Sequence, residues 1–338
     1  MVTHFSFPSI EQFRHTVKTV EARSKYHEMK VRPVIKFSGT VKLHGTNAAV
    51  ALDTKTGEMW AQSRERILSL EQDNAGFCQW FETNLFKFPQ IFDSIVDPHE
   101  FRYVVIYGEW CGGNIQSGVA ISGLDKMFVV FKVRLTNDLE EDSSKWINDI
   151  PDFSNIRKIE YLTNIYSISE FSTFEIEVDF NNPELSQNAL VELTEAVEAE
   201  CPVGKSFGNS GIGEGIVWTA VSSDIEDFNL SGLMFKVKGE RHSSSKVRTL
   251  AAVDVELIKK MDELVDYVLT DNRLNQGLDV LKANGINVDD NKNTKEFIDW
   301  IRKDVFKEER DTILKSGLDF GKVMGKICSK AGKFFATR

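Results

Sequence analysis

The sequence predicts an α+β protein, with antiparallel sheets and flanking helices followed by a small all-helical C-terminal domain. Residues 103–107 and 127–131 are short apolar runs rich in β-branched and aromatic side chains, which is typical of buried strands. Beyond residue 250 the apolar side chains recur at helical spacing, as at Leu274, Leu278 and Leu281. Because the two patterns occupy separate parts of the chain, we expect two domains.

The strand-rich part also contains helical segments. Helical spacing is expected at residues 11–30 and 69–86, and residues 34–53 predict two strands interrupted by a turn at residues 44–47. Residues 234–238 alternate apolar and charged side chains, which predicts a strand with one buried face.

A polar run after residue 239 marks the expected change of domain. We predict a first domain over residues 1–240, a linker over residues 241–251 and a helical domain over residues 252–338. In the helical domain, Asn284 and Gly285 are typical of a helix end, and Thr294 is a typical N-cap for the following helix.

The composition narrows the class of protein. The 338 residues suggest about two domains, and 41% hydrophobic with 27% charged residues is ordinary for a globular protein. The four cysteines are scattered, which argues against a disulfide framework or a zinc site. No apolar run reaches the roughly 20 residues of a membrane span. We expect a soluble, intracellular protein of the cytoplasm, which a virus or phage could encode.

The charge distribution leaves nucleic-acid binding open. A net charge of −10 taken alone argues against such binding, but a local cationic groove can lie on an acidic body. The stretch from Lys322 to Arg338 is basic, although a solvated helix face explains it equally well.

Residues 42–47 (KLHGTN) place a lysine at the end of a predicted strand, before a glycine-containing turn. A Lys42 amine directed into a cleft could attack a phosphate if nearby cations and desolvation kept part of it neutral. A surface lysine before a hairpin turn is the alternative, and the hexapeptide alone favours that alternative.

Two further segments carry a charged side chain in a suggestive setting. Arg64 lies in the run QSRER and could hold a phosphate with its fork of donors, although such runs are more often solvated. Glu109 lies between Gly108 and Trp110 just after a buried strand, where it could bind ligand hydroxyls or a metal, or be an exposed acid in a turn.

The last two segments lie near residue 240. Glu214 stands among Gly211, Gly213 and Gly215, and close approach of a ligand would explain so many glycines. The period of residues 234–238 puts both of its lysines, 236 and 238, on one face. Two adjacent cations are costly unless they share an anion such as a polyphosphate, and a solvent-facing edge strand is the alternative.

Taken in order, these segments resemble the motifs of the covalent nucleotidyltransferases, whose ligase domain is ATP-grasp-like. The most similar group is the phage-type RNA ligase 2 family, which includes the trypanosome RNA-editing ligases. Residues 272–275 and 319–325 are similar to that family's C-terminal module. The matching elements are KLHGTN at 42–47, Ser63-Arg64, Gly108-Glu109, Phe131, Glu214-Gly215 and Lys236-Val237-Lys238.

The resemblance implies an enzyme that seals 3′-hydroxyl and 5′-phosphate ends of RNA, consuming ATP and releasing pyrophosphate and AMP. Lys42 would form a lysyl–AMP intermediate, the AMP would pass to the 5′-phosphate, and the 3′-hydroxyl would displace it. Magnesium, or manganese in its place, is expected because charge builds up on phosphate oxygens. The expected partner is nicked duplex RNA or an RNA–DNA hybrid, bound by a monomer.

The family's motifs also imply a role for each matched residue. Lys236 and Lys238 would bind the α-phosphate and disfavour the charged form of Lys42. Phe131 would stack on adenine. The implied catalytic residues are Lys42, Arg64, Lys236 and Lys238, and the implied nucleotide-binding residues are His44, Asn47, Glu109, Phe131 and Glu214, with Glu214 also a candidate magnesium ligand.

Some features depart from the family or leave alternatives. Thr40 and Val41 stand where relatives often carry an acid, and Lys132 stands where they often have aspartate. A DNA ligase or a capping-type guanylyltransferase is the alternative enzyme, but those usually have K-x-D-G where this chain has KLHG. An inactive RNA-end-binding protein is the alternative from another class. We expect the helical domain to serve nucleic-acid engagement more than adenylation.

Overall fold

A computed structural model describes residues 2–95, 100–137, 144–160, 164–239 and 261–338 of the chain. It confirms the α+β class, with two sheets, helices beside them and a helical C-terminal region. The strands are β1 (Glu11–Gln12), β2 (Val34–Lys42), β3 (Gly45–Asp53), β4 (Glu58–Ser63), β5 (Tyr103–Cys111), β6 (Met127–Thr136), β7 (Lys145–Ile147), β8 (Ile165–Ser167), β9 (Thr173–Asp179), β10 (Gly215–Ser223) and β11 (Met234–Lys238). The helices are α1 (Phe13–Tyr26), α2 (Phe77–Asn84), α3 (Phe88–Ile95), α4 (Ser154–Glu160), α5 (Gln187–Ala199), α6 (Pro202–Ser206), α7 (Met261–Val268), α8 (Asp271–Ala283), α9 (Thr294–Lys315) and α10 (Phe320–Thr337).

The chain divides into two compact units that each draw on several segments. The predicted linker, residues 241–251, lies outside the described residues, and the domain division at residue 240 stays a prediction. The first unit comprises Met1–Ser9, Thr40–Phe174 and Ala199–Gly213, and the second comprises Ile10–Gly39, Glu175–Glu198 and Glu214–Arg338.

The sheet of the first unit has the strand order β4-β3-β5-β6-β7 with antiparallel pairing, and β8 joins β6 in parallel. Side chains of β5 and β6 pack with those of α2 and α3 in one apolar core. Aromatic side chains supply much of its buried surface, which is the main driving force for such packing. The fully buried aromatic residues of this core include Phe77, Phe88, Phe92 and Phe128.

The sheet of the second unit has the order β1-β11-β10-β2-β9, in which β10 and β11 are antiparallel and the two-residue strand β1 runs parallel to β11. Its core is also aromatic. The ring of Phe235 on β11 lies 4.8 Å from Phe13 of α1 and 5.0 Å from Phe37 of β2, measured between centroids. This packing buries the apolar face of β11. The two lysines of β11 therefore lie on the face that points away from this core.

The C-terminal helices α7 to α10 confirm the predicted helical texture and share a core of their own. Thr294 is the first residue of α9, one position beyond the cap, which is Asn293. Asn284 caps the end of α8, and Gly285 follows with a positive φ of 75°. Among the helices that the structure describes, none combines the length and apolarity needed to cross a membrane.

Three predicted elements have different bounds in the structure. The break between β2 and β3 comprises only Leu43 and His44, because residues 45–47 already pair along β5. The two strands belong to different sheets and so form no hairpin. The helix predicted at residues 69–86 is the shorter α2, and the helix predicted at residues 11–30 is the shorter α1. Both begin later and end earlier than predicted.

Candidate functional site

Lys42 is the last residue of β2 and is half-buried. The backbone just after it is tightly held, since the carbonyl of Gly45 accepts a 2.7 Å hydrogen bond from Nε2 of the buried Gln116. A Cβ at position 45 would lie 2.4 Å from the carbonyl oxygen of Trp110, so only glycine fits there. The turn that directs Lys42 is therefore set by contacts with β5 and with Gln116, a residue that the motif pattern did not single out.

Asn47 and Glu109 lie side by side on neighbouring strands. They are direct partners in the β3–β5 register, and both are half-buried. Side chains of directly paired residues share one face of a sheet and lie about 5 Å apart at Cβ. Asn74 steadies this end of β3, because its amide donates to the Thr46 hydroxyl at 3.0 Å and to the Asn47 carbonyl at 3.5 Å. The structure thus brings together two residues that the sequence predicted for nucleotide binding.

Phe131, the predicted adenine-stacking residue, lies on β6 and is half-buried. The ring of Phe7 stands 5.1 Å away at an interplanar angle of 69°, and Phe7 is also 5.1 Å from the ring of Tyr107. These edge contacts fix the plane of the Phe131 ring. Sequence reasoning missed Phe7, which precedes the motifs and carries no periodic signal linking it to β6.

Arg64 is held by the same N-terminal segment. Its Nη2 donates to the Pro8 carbonyl at 3.3 Å, and its own carbonyl accepts from the Ser6 hydroxyl at 3.4 Å. Gln62 lies two residues before Arg64, and its side-chain amide forms hydrogen bonds with the backbone N–H and the backbone carbonyl of Phe5. Arg64 is therefore not a freely solvated charge, because part of its guanidinium is committed to positioning.

Lys132 follows Phe131 where relatives often carry an acid, and it is only 7% exposed. Burial lowers its pKa to about 8. Its Nζ lies 5.3 Å from the centroid of the Trp146 ring, a distance suited to a cation–π contact. A buried amine with a lowered pKa thus lies beside the Trp146 ring, directly after Phe131 in the chain.

In the second unit, β11 confirms the predicted alternation. Phe235 and Val237 are buried in the core, and both lysines lie on the other face. Each ammonium meets a separate carboxylate. Lys238 Nζ lies 3.0 Å from Oε1 of Glu214, and Lys236 Nζ lies 2.8 Å from Oε1 of Glu308. The alternative of a solvent-facing strand is wrong, since both side chains are less than a fifth exposed.

The two ion pairs shift the pKa values in different directions. Burial lowers the pKa of Lys238, but Glu214 outweighs it and the net pKa is raised. Burial also lowers the pKa of Lys236, and here the opposing effect of Glu308 is not sufficient, so the net pKa is lowered. For Glu308 burial raises the pKa, yet Lys236 dominates and brings the pKa to about 2.

Gly215 has a structural explanation that differs from the predicted close approach of a ligand. Its φ is 151°, and a Cβ at this position would lie 2.1 Å from the carbonyl oxygen of Val237. The glycine is required because β10 and β11 approach each other closely there.

No group of three or more acidic, histidine or cysteine side chains that could hold a metal occurs among the described residues. Glu214, the candidate magnesium ligand, is 2% exposed and paired with Lys238. Magnesium is commonly held by substrate phosphates with one or two protein carboxylates, and Glu214 would supply such a carboxylate only by sharing it with Lys238.

The basic C-terminal stretch lies on α10. Lys326 pairs with Asp262 and Lys330 pairs with Asp266, each at 2.5 Å, and all four side chains are well exposed. These contacts favour the interpretation of a solvated helix face over that of a cationic groove.

Comparison with known proteins relates these residues to one family. The RNA ligase family profile matches residues 35–238. This range holds every residue that the sequence singled out as catalytic or nucleotide-binding, and it excludes Glu308. No curated protein sequence matches the chain.

Solved structures of a Naegleria gruberi RNA ligase are similar at low identity. A variant with ATP and Mn is 15% identical with a TM-score of 0.43, and a variant with AMP and Mn is 14% identical with a TM-score of 0.43. The ligase with PPi is 16% identical with a TM-score of 0.42. Each match covers 71% of this chain and 57% of the other, so this chain spans little more than half of those ligases.

Proposed function

The chain belongs to the RNA ligase family, and on that premise we propose that it is an ATP-dependent ligase that joins 3′-hydroxyl and 5′-phosphate ends of RNA. The observation that carries the proposal is the arrangement around β3. After the two-residue break that follows Lys42, β3 begins at Gly45, where only glycine fits, and Asn47 and Glu109 pair just beyond it. This arrangement suits a nucleophilic amine held near a bound nucleotide.

In the first proposed step the amine of Lys42 attacks the α-phosphate of ATP. A phosphorus–nitrogen bond forms, the bond to the β-phosphate oxygen breaks, and pyrophosphate leaves. Lys236 and Lys238 bind phosphate oxygens, for which their charged and largely buried ammonium groups are suited.

Recognition of the nucleotide is assigned to three of the motif residues, Phe131, Glu109 and Glu214. Phe131 stacks on adenine with its plane fixed by Phe7, and Glu109 binds the ribose. Glu214 contacts the sugar or a magnesium ion, which neutralises developing charge on phosphate oxygens when bound.

Two further steps complete the proposed reaction. The AMP passes from Lys42 to the 5′-phosphate of RNA, and the 3′-hydroxyl then displaces AMP to form the phosphodiester bond. Arg64, His44 and Asn47 act around the phosphate in these transfers. The proposed substrate is a nick in duplex RNA or in an RNA–DNA hybrid.

Labelling with radioactive ATP tests the first step. The wild-type protein should take up AMP in an acid-stable, hydroxylamine-sensitive form, and Lys42→Ala should take up none. Lys36→Ala is the matched control, because Lys36 lies on the same strand, is 43% exposed and pairs with Glu175 at 2.8 Å. It should label like the wild type. Equal labelling of Lys42→Ala and the wild type would reject Lys42 as the nucleophile.

Two additional assays separate the alternatives. Labelling by GTP as strong as by ATP would favour a capping-type enzyme. Nick sealing on duplexes with RNA or DNA on each side of the break then defines the substrate. Sealing only of all-DNA nicks would contradict the RNA ligase assignment.

A further inference from the structure

Lys236 is the end of a short chain of polar contacts that begins on the neighbouring strand. Gln12 of β1 is its direct partner in the sheet register. The amide of Gln12 donates to Oε2 of Glu308 at 2.5 Å, and Oε1 of Glu308 accepts from Lys236 Nζ at 2.8 Å. Glu308 thus spans two adjacent strands from helix α9, with each of its oxygens engaged.

Helix α9 is fixed in place by further contacts with the N-terminal helix. Arg14 of α1 bonds to the hydroxyl of Thr312 at 3.0 Å and to Oε2 of Glu309 at 3.2 Å. Glu309 also lies 3.6 Å from Arg273. These contacts come from Glu309 and Thr312, which both follow Glu308 in the chain, and they pack α9 against α1.

The surroundings of Lys236 would otherwise disfavour its charge. Burial, Lys238 on its own strand and Lys307 on α9 all lower its pKa, and Glu308 is the group that raises it. Lys238 is itself matched by Glu214. The facing groups on β1 and β10 are Gln12 and Val217, neither of them charged, and the nearby Glu11 is paired with His15 at 2.8 Å.

We propose that Glu308, a residue of the C-terminal helical region, is a positioning residue for adenylation: with Gln12 it holds the ammonium group of Lys236 charged and directed. This inference rests on the proposed function, in which Lys236 binds a phosphate of ATP. It assigns the helical region a part in the first chemical step, contrary to the expectation from sequence.

The geometry permits this role without displacement of Glu308. An ammonium group has three N–H donors. One is engaged by Glu308, and within the described part of the chain no second hydrogen bond of Lys236 Nζ occurs, which leaves two for acceptors such as phosphate oxygens.

The charge of Lys236 can be measured apart from activity. In the full-length protein, the lysines are labelled by reductive ¹³C-methylation and titrated by NMR, with Lys236→Arg used to assign the signal. Glu308→Gln should lower the pKa of Lys236, because it removes the neighbouring negative charge and leaves the side chain buried. An unchanged pKa would overturn the proposal.

The pH profile of adenylation is the second measurement. Loss of Lys236 charge at alkaline pH should lower the AMP labelling of Glu308→Gln between pH 7 and pH 9 by several-fold more than that of the wild type. Glu309→Gln is the matched control, since Glu309 is fully buried one residue further along α9 and contacts Arg14 and Arg273. It should keep the wild-type profile.

The remaining outcomes also decide the proposal. If Glu309→Gln shows the same alkaline loss, Glu308 acts only through helix packing, and the proposal is wrong. A lower KM for ATP in Glu308→Gln than in the wild type would show that the carboxylate competes with phosphate for Lys236. That result also overturns the proposal. If Glu308→Gln does not fold, Gln12→Ala serves instead, and its pH profile should shift in the same direction by less. An unshifted profile would then reject the proposal.

Failure of the proposed function gives a different pattern. A wild-type protein that takes up no AMP would reject ATP-dependent ligation, whereas the NMR titration would still show whether Glu308 holds the charge of Lys236.

Discussion

Lys236 and Lys238 stand two residues apart on one strand and share one face, yet their environments differ. Lys238 pairs with Glu214, which lies just before the adjoining strand β10, and its pKa is raised. Lys236 pairs with Glu308, which is 72 residues further along the chain, and its pKa is lowered. Strand periodicity therefore determines where a charged side chain points, whereas the tertiary neighbours determine how readily it stays charged.

The difference has a chemical consequence. Lys238 has a counter-ion within the range matched by the RNA ligase family, and Lys236 has one outside it. The charge on Lys238 is thus balanced within residues 35–238, whereas the charge on Lys236 depends on helix α9, which lies beyond them. The predictions below test this asymmetry.

Folding stability should show the largest effect. Lys238→Met removes the cationic partner of Glu214, a carboxylate that is 2% exposed, and breaking a buried ion pair in this way costs about 3–5 kcal/mol. Lys236→Met should cost less, because Glu308 keeps its bond to Gln12. Urea denaturation of both variants measures the difference. Equal losses would remove the asymmetry between the two pairs.

Adenylation should fall about a hundredfold in both Lys236→Ala and Lys238→Ala, which corresponds to about 2.7 kcal/mol of transition-state stabilisation. The control is Arg302→Ala, since Arg302 is 59% exposed and pairs only loosely with Asp299 at 3.3 Å. It should adenylate within about twofold of the wild type, as surface substitutions usually do. If the lysine variants match Arg302→Ala, neither lysine serves the proposed reaction.

Phe131 tests the nucleotide pocket independently of the lysines. Loss of a base–aromatic stack costs roughly 1–3 kcal/mol, so Phe131→Ala should raise the KM for ATP about tenfold. Phe131→Leu should do less harm, because it retains an apolar surface against Phe7. Single-turnover labelling at varied ATP concentration measures both. A Phe131→Ala variant with an unchanged KM would place adenine elsewhere.

Acid stability should show an effect only at low pH. The folded pKa of Glu308, about 2, lies below the ordinary value of 4.5. Its stabilising contribution is therefore complete above pH 4.5 and is lost as the pH falls toward 2. The stability difference between the wild type and Glu308→Gln should shrink over this range in urea titrations. A constant difference would show that the charge of Glu308 does not stabilise the fold.

Local patterns in the sequence were sufficient for several features. Alternation in residues 234–238 predicted β11 and the shared face of its two lysines, because side-chain direction in a strand follows a period of two. The apolar spacing after residue 250 predicted the C-terminal helices. The order of short motifs was sufficient to indicate the RNA ligase family, which the family profile over residues 35–238 confirms.

Tertiary structure alone decided the contacts that join distant segments. The sequence contains no signal that Phe7 packs on Phe131, that Gln116 holds the carbonyl of Gly45, or that Glu308 pairs with Lys236. Each contact depends on how sheets and helices pack, and not on spacing along one element. Gly215 shows the same limit, since its glycine was attributed to a ligand and is required by the neighbouring strand. Sequence therefore determined which side chains could do the chemistry, and packing decided which groups hold them and with what charge.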